Sequence, residues 1–182
     1  MNRTPVVVSV AAVSGGGKTA VINRLLERVD YSKALYFDNY VFEGPDDLGK
    51  WAENGADYNG WDLSPLIQDV ECLLTSNHLH YIFLDYPFAY LHDDMNGLIH
   101  LSIYIDTPLD IAMGRRILRD FAIGPIENVH KALINYLSSG RKAYLEMEKN
   151  VKPNSDIVID GSMSLDTIVE QIIKKIGDFY AK

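Results

Sequence analysis

A glycine-rich turn near the start of the chain constrains the fold more than any other feature of the sequence. An apolar run of strand length, Val6 to Ala11, leads into the turn AVSGGGKT at residues 12–19, and an amphipathic helical pattern begins after it. The turn matches the Walker A pattern at every fixed position except the first, where Ala12 replaces glycine. A buried strand that feeds such a turn into a helix predicts an α/β nucleotide-binding fold.

The parts of this turn correspond to the chemical requirements of phosphate binding. Glycines let backbone N–H groups approach phosphate oxygens, a lysine reaches the β- and γ-phosphates, and a hydroxyl coordinates magnesium. The sequence therefore predicts ATP and Mg²⁺ as cofactors, with Lys18 as a catalytic residue and Thr19 as a metal ligand. The predicted ATP-binding residues of the turn are Ser14, Gly15, Gly16, Gly17, Lys18 and Thr19. A glycine turn that binds nothing is the alternative, but the strand-to-helix context favours a phosphate loop.

Four further apolar runs of strand length alternate with stretches of helical period along the chain. They are Ala34–Phe37, Tyr81–Asp85, Leu101–Ile105 and Ile157–Ile159. Five strands joined by helical crossovers predict a doubly wound α/β domain, in which both faces of a parallel sheet are covered. We expect one domain over residues 1–182, with its ligand beyond the carboxyl ends of the strands.

The helical stretches between these runs carry their own start signals. Ser64-Pro65 is typical of an N-cap followed by a first-turn proline, and Thr107-Pro108 is expected to cap a second helix. A long helical region covers about residues 126–149, whereas residues 39–62 show no clear period. The last helix is expected to turn one apolar face inward, formed by Leu165, Ile168, Val169, Ile172 and Ile176.

Charge and cysteine content exclude several classes of partner. The formal net charge is −8, so the surface as a whole repels nucleic acid and anionic membranes. Cys72 is the only cysteine, which excludes internal disulfides and a multi-cysteine metal site. The apolar run at residues 6–11 is too short for a signal peptide or a membrane span, so a cytoplasmic location is expected. A homo-oligomer is left open.

Two aspartates follow predicted strands at the edge where the phosphate loop is expected. Asp38 comes after the second strand, and Asp85 ends the third with the pattern of a Walker B acid. Phosphoryl transfer needs one carboxylate near the acceptor hydroxyl, to accept its proton, and another that holds magnesium. We assign Asp38 to catalysis and substrate binding and Asp85 to the metal, although the residues alone leave open which of the two is the base. The alternative is that each only caps a turn.

Three arginines cluster on the helix predicted after the fourth strand. Arg115 and Arg119 are four residues apart and share a helix face, and Arg116 and Arg119 are three apart. Clustered guanidinium groups can neutralise the charge that develops on a moving phosphoryl group. Arg115 is therefore assigned to ATP binding, and Arg116 and Arg119 to catalysis. The alternative is a solvated basic face paired with Asp110 or Asp120.

Aromatic residues in strand-end loops are candidates for an acceptor pocket. The candidates are Trp51, Tyr58, Trp61, Phe88 and Tyr90. Tyr58 and Phe88 are the preferred candidates because they lie in loops that follow strand ends. The alternative is that these rings fill the core or cover loops, as aromatic side chains commonly do.

At this point the chain resembles the uridine kinase-like branch of P-loop kinases, which also holds phosphoribulokinase, pantothenate kinase and nicotinamide riboside kinase relatives. The resemblance runs nearly end to end. The segments that carry it are VSGGGKT, YFDNY, WDLSPLIQDV, IYIDTPLDIAMGRRILRD and RKAYLEMEKNVKPNSDIVIDG, together with the closing helix.

The resemblance implies a sheet order of 2-3-1-4-5 and a lid helix and loop at about residues 108–126. It implies that Asp38 is the base for the acceptor hydroxyl and that Tyr40 is an aromatic residue of the substrate site. It further implies that Arg116 and Arg119 approach phosphates and substrate, and that residues 161–164 flank the adenine.

The chain also departs from the uridine kinase pattern around the acceptor site. Residues 55–60 lack the His-Pro pair that precedes the Trp-Asp segment in uridine kinases, and residues 121–125 carry no base where further arginines are expected. After the third strand, Asp85-Tyr86 stands where uridine kinases place Glu-Gly. These positions shape the acceptor pocket, whereas the phosphate loop and the lid arginines are retained.

The leading hypothesis from the sequence is a small-molecule kinase that phosphorylates a hydroxyl of a nucleoside or another ribose-like acceptor. A second hypothesis is an NTPase switch or energy-coupling protein without a small acceptor. That class needs a guanine-reading Asn-Lys-x-Asp motif or metal-binding cysteines, which the sequence lacks. A third is a non-catalytic nucleotide-binding module, which the presence of Lys18, Thr19 and Asp38 disfavours.

Overall fold

The computed structural model describes residues 4–180, which form a five-stranded parallel sheet flanked by helices. The strands are β1 (Val6–Ala11), β2 (Ser32–Tyr36), β3 (Tyr81–Asp85), β4 (Leu101–Asp106) and β5 (Ile157–Asp160). They lie in the order β2-β3-β1-β4-β5, and every neighbouring pair is parallel. The predicted α/β class and the implied order 2-3-1-4-5 are both confirmed.

Helices and single turns connect the strands. The α-helices are α1 (Lys18–Arg28), α2 (Leu48–Glu53), α3 (Ser64–Leu74), α4 (Asp93–Asn96), α5 (Leu109–Asp120), α6 (Ile126–Asn135), α7 (Arg141–Glu146) and α8 (Leu165–Tyr180). Turns of 3₁₀-helix cover Phe37–Asn39, Tyr58–Gly60 and Lys152–Asn154, and π-helical turns cover Tyr136–Gly140 and Met147–Val151. No helix within residues 4–180 has the length and apolar character that a bilayer crossing needs.

The sheet separates two apolar layers, because alternate side chains of each strand point to opposite faces. On one face, Val8 and Val10 of β1 pack with α1 and α8, where Leu25 and Ile172 are fully buried. On the other face, residues of β1 and β3 pack with α3 and with the aromatic loops; the buried members include Val7, Ile82, Leu84, Leu66 and Val70. Both layers support the carboxyl edge of the sheet, where the loops that follow β1, β2 and β3 converge.

The predicted capping roles of Ser64 and Thr107 are wrong. Ser64 is the first residue of α3, and the Asp62 carboxylate accepts hydrogen bonds from its backbone N–H at 3.0 Å and its hydroxyl at 2.5 Å. Thr107 does not cap α5; its buried hydroxyl donates to the carbonyl oxygen of Gly16 at 2.9 Å. Strand β4 extends to Asp106 by pairing with Asp160, and this brings Thr107 against the glycine turn.

The structure adds detail to two other segments. The region at 126–149 is helical but not one regular helix, because a π-helical turn separates α6 from α7 and a second one follows α7. The aperiodic stretch at 39–62 contains α2, whose N-cap Asp47 accepts hydrogen bonds from the N–H groups of Gly49 and Lys50. Helix α2, with six residues, is too short to give a helical period in the sequence.

Gly161, just after β5, offers a test of how tightly the sheet supports the glycine turn. A Cβ added at this position would lie 1.9 Å from the hydroxyl oxygen of Thr107, which binds the backbone of Gly16. Gly161→Ala is therefore expected to lower the free energy of unfolding by about 1–3 kcal/mol, because the buried Thr107 side chain would have to shift from its hydrogen bond with Gly16. Urea denaturation measures the change.

Gly177→Ala is the matched control. A Cβ at position 177, within α8, meets no atom within 4 Å, so alanine is expected to be neutral or stabilising by up to about 1 kcal/mol. Equal stability of the Gly161→Ala variant and the unmodified chain would contradict the packing argument.

Candidate active site

The glycine turn between β1 and α1 has the backbone shape of a phosphate loop. Gly15 and Gly17 have φ values of +83° and +101°, a region that other residues rarely adopt. A Cβ at Gly15 would lie 2.1 Å from the carbonyl oxygen of Ala112, so the loop packs directly against α5. A Cβ at position 16 would lie 2.7 Å from the methyl group of Ala12. Gly16 thus leaves room for the alanine that replaces the first glycine of the motif.

Lys18 and Thr19, at the start of α1, face the end of β3. The Thr19 hydroxyl donates to Oδ2 of Asp85 at 2.5 Å, and Nζ of Lys18 lies 3.8 Å from Oδ1 of the same carboxylate. Lys18 also donates to the carbonyl oxygen of Ala12 at 3.3 Å. Asp85 is buried, and it reaches this position because parallel pairing places it beside Val10 of β1.

The residues present fit a magnesium ion. Mg²⁺ prefers oxygen ligands and is usually held by one or two protein groups together with substrate phosphates and water. The Thr19 hydroxyl and the Asp85 carboxylate supply two adjacent oxygen ligands beside the loop. The sequence-predicted metal ligands are therefore neighbours in the fold.

Two cavities meet beside Lys18. The first, the loop cavity, measures about 240 Å³ and is lined by the glycine turn, Asp38, Arg115 and Arg119. The second, the aromatic cavity, measures about 210 Å³ and extends beneath the loops that follow β2 and β3. Ser14, Lys18 and Asp38 line both cavities. Asp38 is exposed in the 3₁₀ turn that ends β2, so its carboxylate lies where the cavities join.

The aromatic cavity has walls of edge-on and tilted rings. Tyr58 and Phe88, the preferred sequence candidates, line it with ring centroids 5.3 Å apart. The ring centroid of Trp51 lies 5.1 Å from that of Tyr58, and the ring centroid of Trp61 lies 5.5 Å from that of Phe88. Further lining residues that the sequence did not point to are Phe37, Leu48, Pro87, Ala143 and Met147. Phe37 could have been found from its position beside Asp38, whereas Ala143 and Met147 carry no recognisable signal.

Two aromatic candidates lie elsewhere. Tyr40 donates its hydroxyl to Asp69 of α3 at 2.6 Å and stacks on Phe42, and it does not line the aromatic cavity. Tyr90 donates its hydroxyl to Asp156 at 2.5 Å.

The three arginines of α5 separate into two groups. Arg115 and Arg119 line the loop cavity, as expected for residues four apart on one face. Arg115 also donates to the carbonyl oxygen of Gly161 at 3.2 Å. Arg116 instead lines a neighbouring cavity of about 510 Å³ between α2 and the region from α6 to α7, and it donates to the Tyr144 hydroxyl at 2.9 Å.

Asp120 pairs with two of these arginines. Its carboxylate oxygens lie 2.6 Å from Nε of Arg119 and 3.4 Å from Nε of Arg116. The hydrogen bond from Arg119 lowers the pKa of Asp120, and the same contact raises the pKa of Arg119. The pairing with Asp120 considered from the sequence is therefore present, and it coexists with the position of Arg119 on the loop cavity.

A further apolar cavity of about 250 Å³ lies on the outer side of the glycine turn, beside α1 and the start of α8. Its lining residues are Gly16, Gly17, Ala20, Val21, Arg115, Met163, Leu165 and Ile168. Leu165 was predicted to point inward, but it is 40 % exposed because it begins α8 at the rim of this cavity. The cavity adjoins residues 161–164, where the resemblance places an adenine.

Comparisons with known proteins agree with this architecture. No family model matches the sequence. A uridine kinase from Macrococcus caseolyticus (strain JCSC5402) is 25 % identical over an alignment that covers 97 % of each chain. A solved gluconokinase from Sinorhizobium meliloti 1021 has a TM-score of 0.59 at 15 % identity and covers 97 % of this chain and 94 % of its own. The structure of a deoxyadenosine kinase from M. mycoides with bound dATP has a TM-score of 0.52 at 15 % identity, covering 94 % and 99 %.

The sheet order and the glycine turn together define the P-loop NTPase fold, which the solved kinases share. Within that class, the sequence resembles the uridine kinase-like branch over nearly its whole length. These similarities support a small-molecule kinase, that is, a phosphotransferase.

Proposed function

We propose that this chain uses ATP and Mg²⁺ to phosphorylate a hydroxyl group of a neutral acceptor with a planar, nucleoside-like body. The observation that carries the proposal is the position of Asp38, which lines both the loop cavity and the aromatic cavity. A phosphate chain in the first cavity and an acceptor in the second would meet at this carboxylate.

The nucleotide is proposed to lie along the glycine turn, with its base in the apolar cavity beside Arg115 and Met163. The loop N–H groups and the N-terminus of α1 favour negative charge, and Lys18 adds a positive charge beside the terminal phosphates. Thr19 and Asp85 would hold the magnesium ion, which supplies charge neutralisation on the phosphates when bound.

Transfer is proposed to proceed in line. The acceptor hydroxyl oxygen forms a bond to the γ-phosphorus, the bond from that phosphorus to the β,γ-bridging oxygen breaks, and the hydroxyl proton passes to Asp38. Arg119 lies on the loop cavity near Asp38, and the charge of Asp38 contributes to the raised pKa of Arg119. Arg119 would therefore neutralise charge on the moving group, whereas Arg116 would have to leave Tyr144 to take part.

The lining of the aromatic cavity argues for an uncharged acceptor. Among the described residues that line it, Lys18 is the single cation, and it belongs to the phosphate side. Carboxylated or phosphorylated acceptors are usually bound through arginine or lysine, and the far end of this cavity offers neither. Rings such as those of Trp51, Tyr58 and Phe88 instead bind planar groups by stacking and edge contacts.

The experiment is magnesium-dependent ADP release from ATP across a panel of acceptors. Uridine and other neutral nucleosides are expected to include a compound that stimulates turnover, and pantothenate and gluconate are expected not to. For uridine, 5′-deoxyuridine is the matched control, because it keeps the base and lacks the primary hydroxyl. Equal slow hydrolysis with every compound would favour the NTPase switch, and stimulation by a carboxylate alone would overturn the neutral-acceptor assignment.

We further propose that residues 1–182 form one kinase domain, with residues 108–126 as its lid. Helix α5 carries the three arginines, and it contacts the phosphate loop at Ala112. A lid at this position would exclude water from the phosphates and suppress hydrolysis.

A further inference from the structure

Glu146 is a buried carboxyl group that the proposed transfer does not use. It ends α7 and is only 9 % exposed. Its Oε1 atom accepts a hydrogen bond from the Tyr58 hydroxyl at 3.0 Å and another from the Asn150 side-chain amide. None of the ion pairs formed within residues 4–180 includes Glu146. Burying a carboxyl group without a cation lowers the stability of the fold, and an apolar side chain would fill the same space with a smaller loss of free energy.

The partner of Glu146 forms part of the aromatic cavity wall. Tyr58 is 8 % exposed, and the rings of Trp51 and Phe88 pack against it edge-on at 5.1 and 5.3 Å. Burial, followed by the nearby Glu146 carboxyl group, raises the pKa of Tyr58 well above its usual range, so its hydroxyl remains a donor.

The hydrogen bond joins two walls that are distant in the chain. Tyr58 belongs to the loop region between β2 and α3, and Glu146 follows it by 88 residues. Ala143 and Met147, on either side of Glu146 in α7 and the π turn, line the same cavity as Tyr58. The hydrogen bond adds to the ion pair between Glu53 of α2 and Lys142 of α7, which joins the same two segments, and it acts directly on the Tyr58 ring.

We propose that Glu146 is a positioning residue that fixes the Tyr58 ring and thereby sets the width of the acceptor site. The inference rests on the proposed function for the identity of the ligand, but the positioning itself is a property of the protein alone. Glu146 does not line the cavity, so it acts through Tyr58 and not by touching the acceptor.

The two tryptophans of the chain provide a direct readout, because both line this cavity. In the ligand-free protein, Glu146→Leu is expected to make tryptophan emission more accessible to acrylamide, since Tyr58 no longer holds Trp51 edge-on. Glu146→Gln keeps an acceptor oxygen for Tyr58 and is expected to behave like the unmodified chain. Lys149→Leu, an exposed position on the following π turn, is the matched control.

Uridine is the probe for the acceptor site, titrated by the same emission. Glu146→Leu is expected to weaken uridine binding on the order of ten-fold, and Glu146→Gln to restore most of it. The KM for ATP should stay unchanged, because the loop cavity does not include Glu146 or Tyr58. A purely structural role would instead lower thermal stability and kcat while leaving the uridine Kd and the quenching unchanged.

Tyr58→Phe removes only the hydroxyl and serves if Glu146→Leu does not fold. It should increase acrylamide quenching in the same direction as Glu146→Leu. Unchanged quenching in the folded variants overturns the inference, even if uridine is phosphorylated. Changed quenching together with no acceptor-stimulated ADP release in the unmodified chain would overturn the proposed function and support the positioning role.

Discussion

Replacing Lys18 with alanine is expected to lower acceptor-dependent ADP release by about 10³-fold or more, the range found for groups that neutralise charge in phosphoryl transfer. Its ammonium group lies beside the Asp85 carboxylate and the loop, where the terminal phosphates are proposed to bind. Without it, the phosphates lose a positive charge in a site that already contains Asp38 and Asp85. The rate with and without acceptor, at saturating magnesium, measures the loss.

The fold should survive this change. Asp85 keeps its hydrogen bond from Thr19 in the Lys18→Ala variant, so the buried carboxylate is not left without a donor. Lys174→Ala, on the exposed side of α8, is the control for removing one positive charge from the acidic chain. A Lys18→Ala protein with the turnover of the unmodified chain would refute the phosphate-loop assignment. A lower midpoint of thermal unfolding in this variant would show instead that the loss of activity is due to unfolding.

Asp38→Asn is expected to reduce acceptor-dependent turnover by about 10²- to 10⁴-fold, the usual contribution of a general base. The amide keeps the size of the side chain but cannot accept the hydroxyl proton. The affinity for ATP should change little, because Asp38 is one of several groups that line the loop cavity. Its carboxylate is negatively charged and so does not attract the phosphates of ATP. A nucleotide-binding titration beside the rate measurement separates the two effects, and Asp30→Asn, at an exposed position, is the control.

Asp85→Asn distinguishes the two carboxylates, whose roles the sequence leaves open. If Asp85 holds the metal, the Asp85→Asn variant should need a higher magnesium concentration to reach half of its maximal turnover. Asp38→Asn should keep the magnesium dependence of the unmodified chain and show a lower maximal turnover. The reverse pattern would exchange the two assignments.

Most of the sheet and the phosphate loop could be predicted because their signals are local. The strand Val6–Ala11, the glycine turn and the start of α1 are contiguous, so a pattern in one segment specified all three. The convergence of Asp38 and Asp85 also followed, since the carboxyl ends of parallel strands meet at one edge of the sheet.

Two side chains lie where no local pattern placed them, because each found its partner in a distant segment. Thr107 has the local pattern of a helix cap, but the pairing of β4 with β5 turns its hydroxyl toward Gly16, 91 residues away. Arg116 has the same local setting as its neighbours, yet the contact with Tyr144 directs it away from the loop cavity.

The sequence by itself determined the α/β class, the phosphate loop and the set of charged residues beside it, because each depends on short-range periodicity or on one contiguous motif. Only the tertiary structure decided which side chains enclose the aromatic cavity and how Tyr58, Trp51, Ala143 and Met147 come to share it. The physical reason is that a cavity is a product of packing between segments far apart in the chain. No local pattern records the distance between Tyr58 and Glu146, and the width of the proposed acceptor site depends on it.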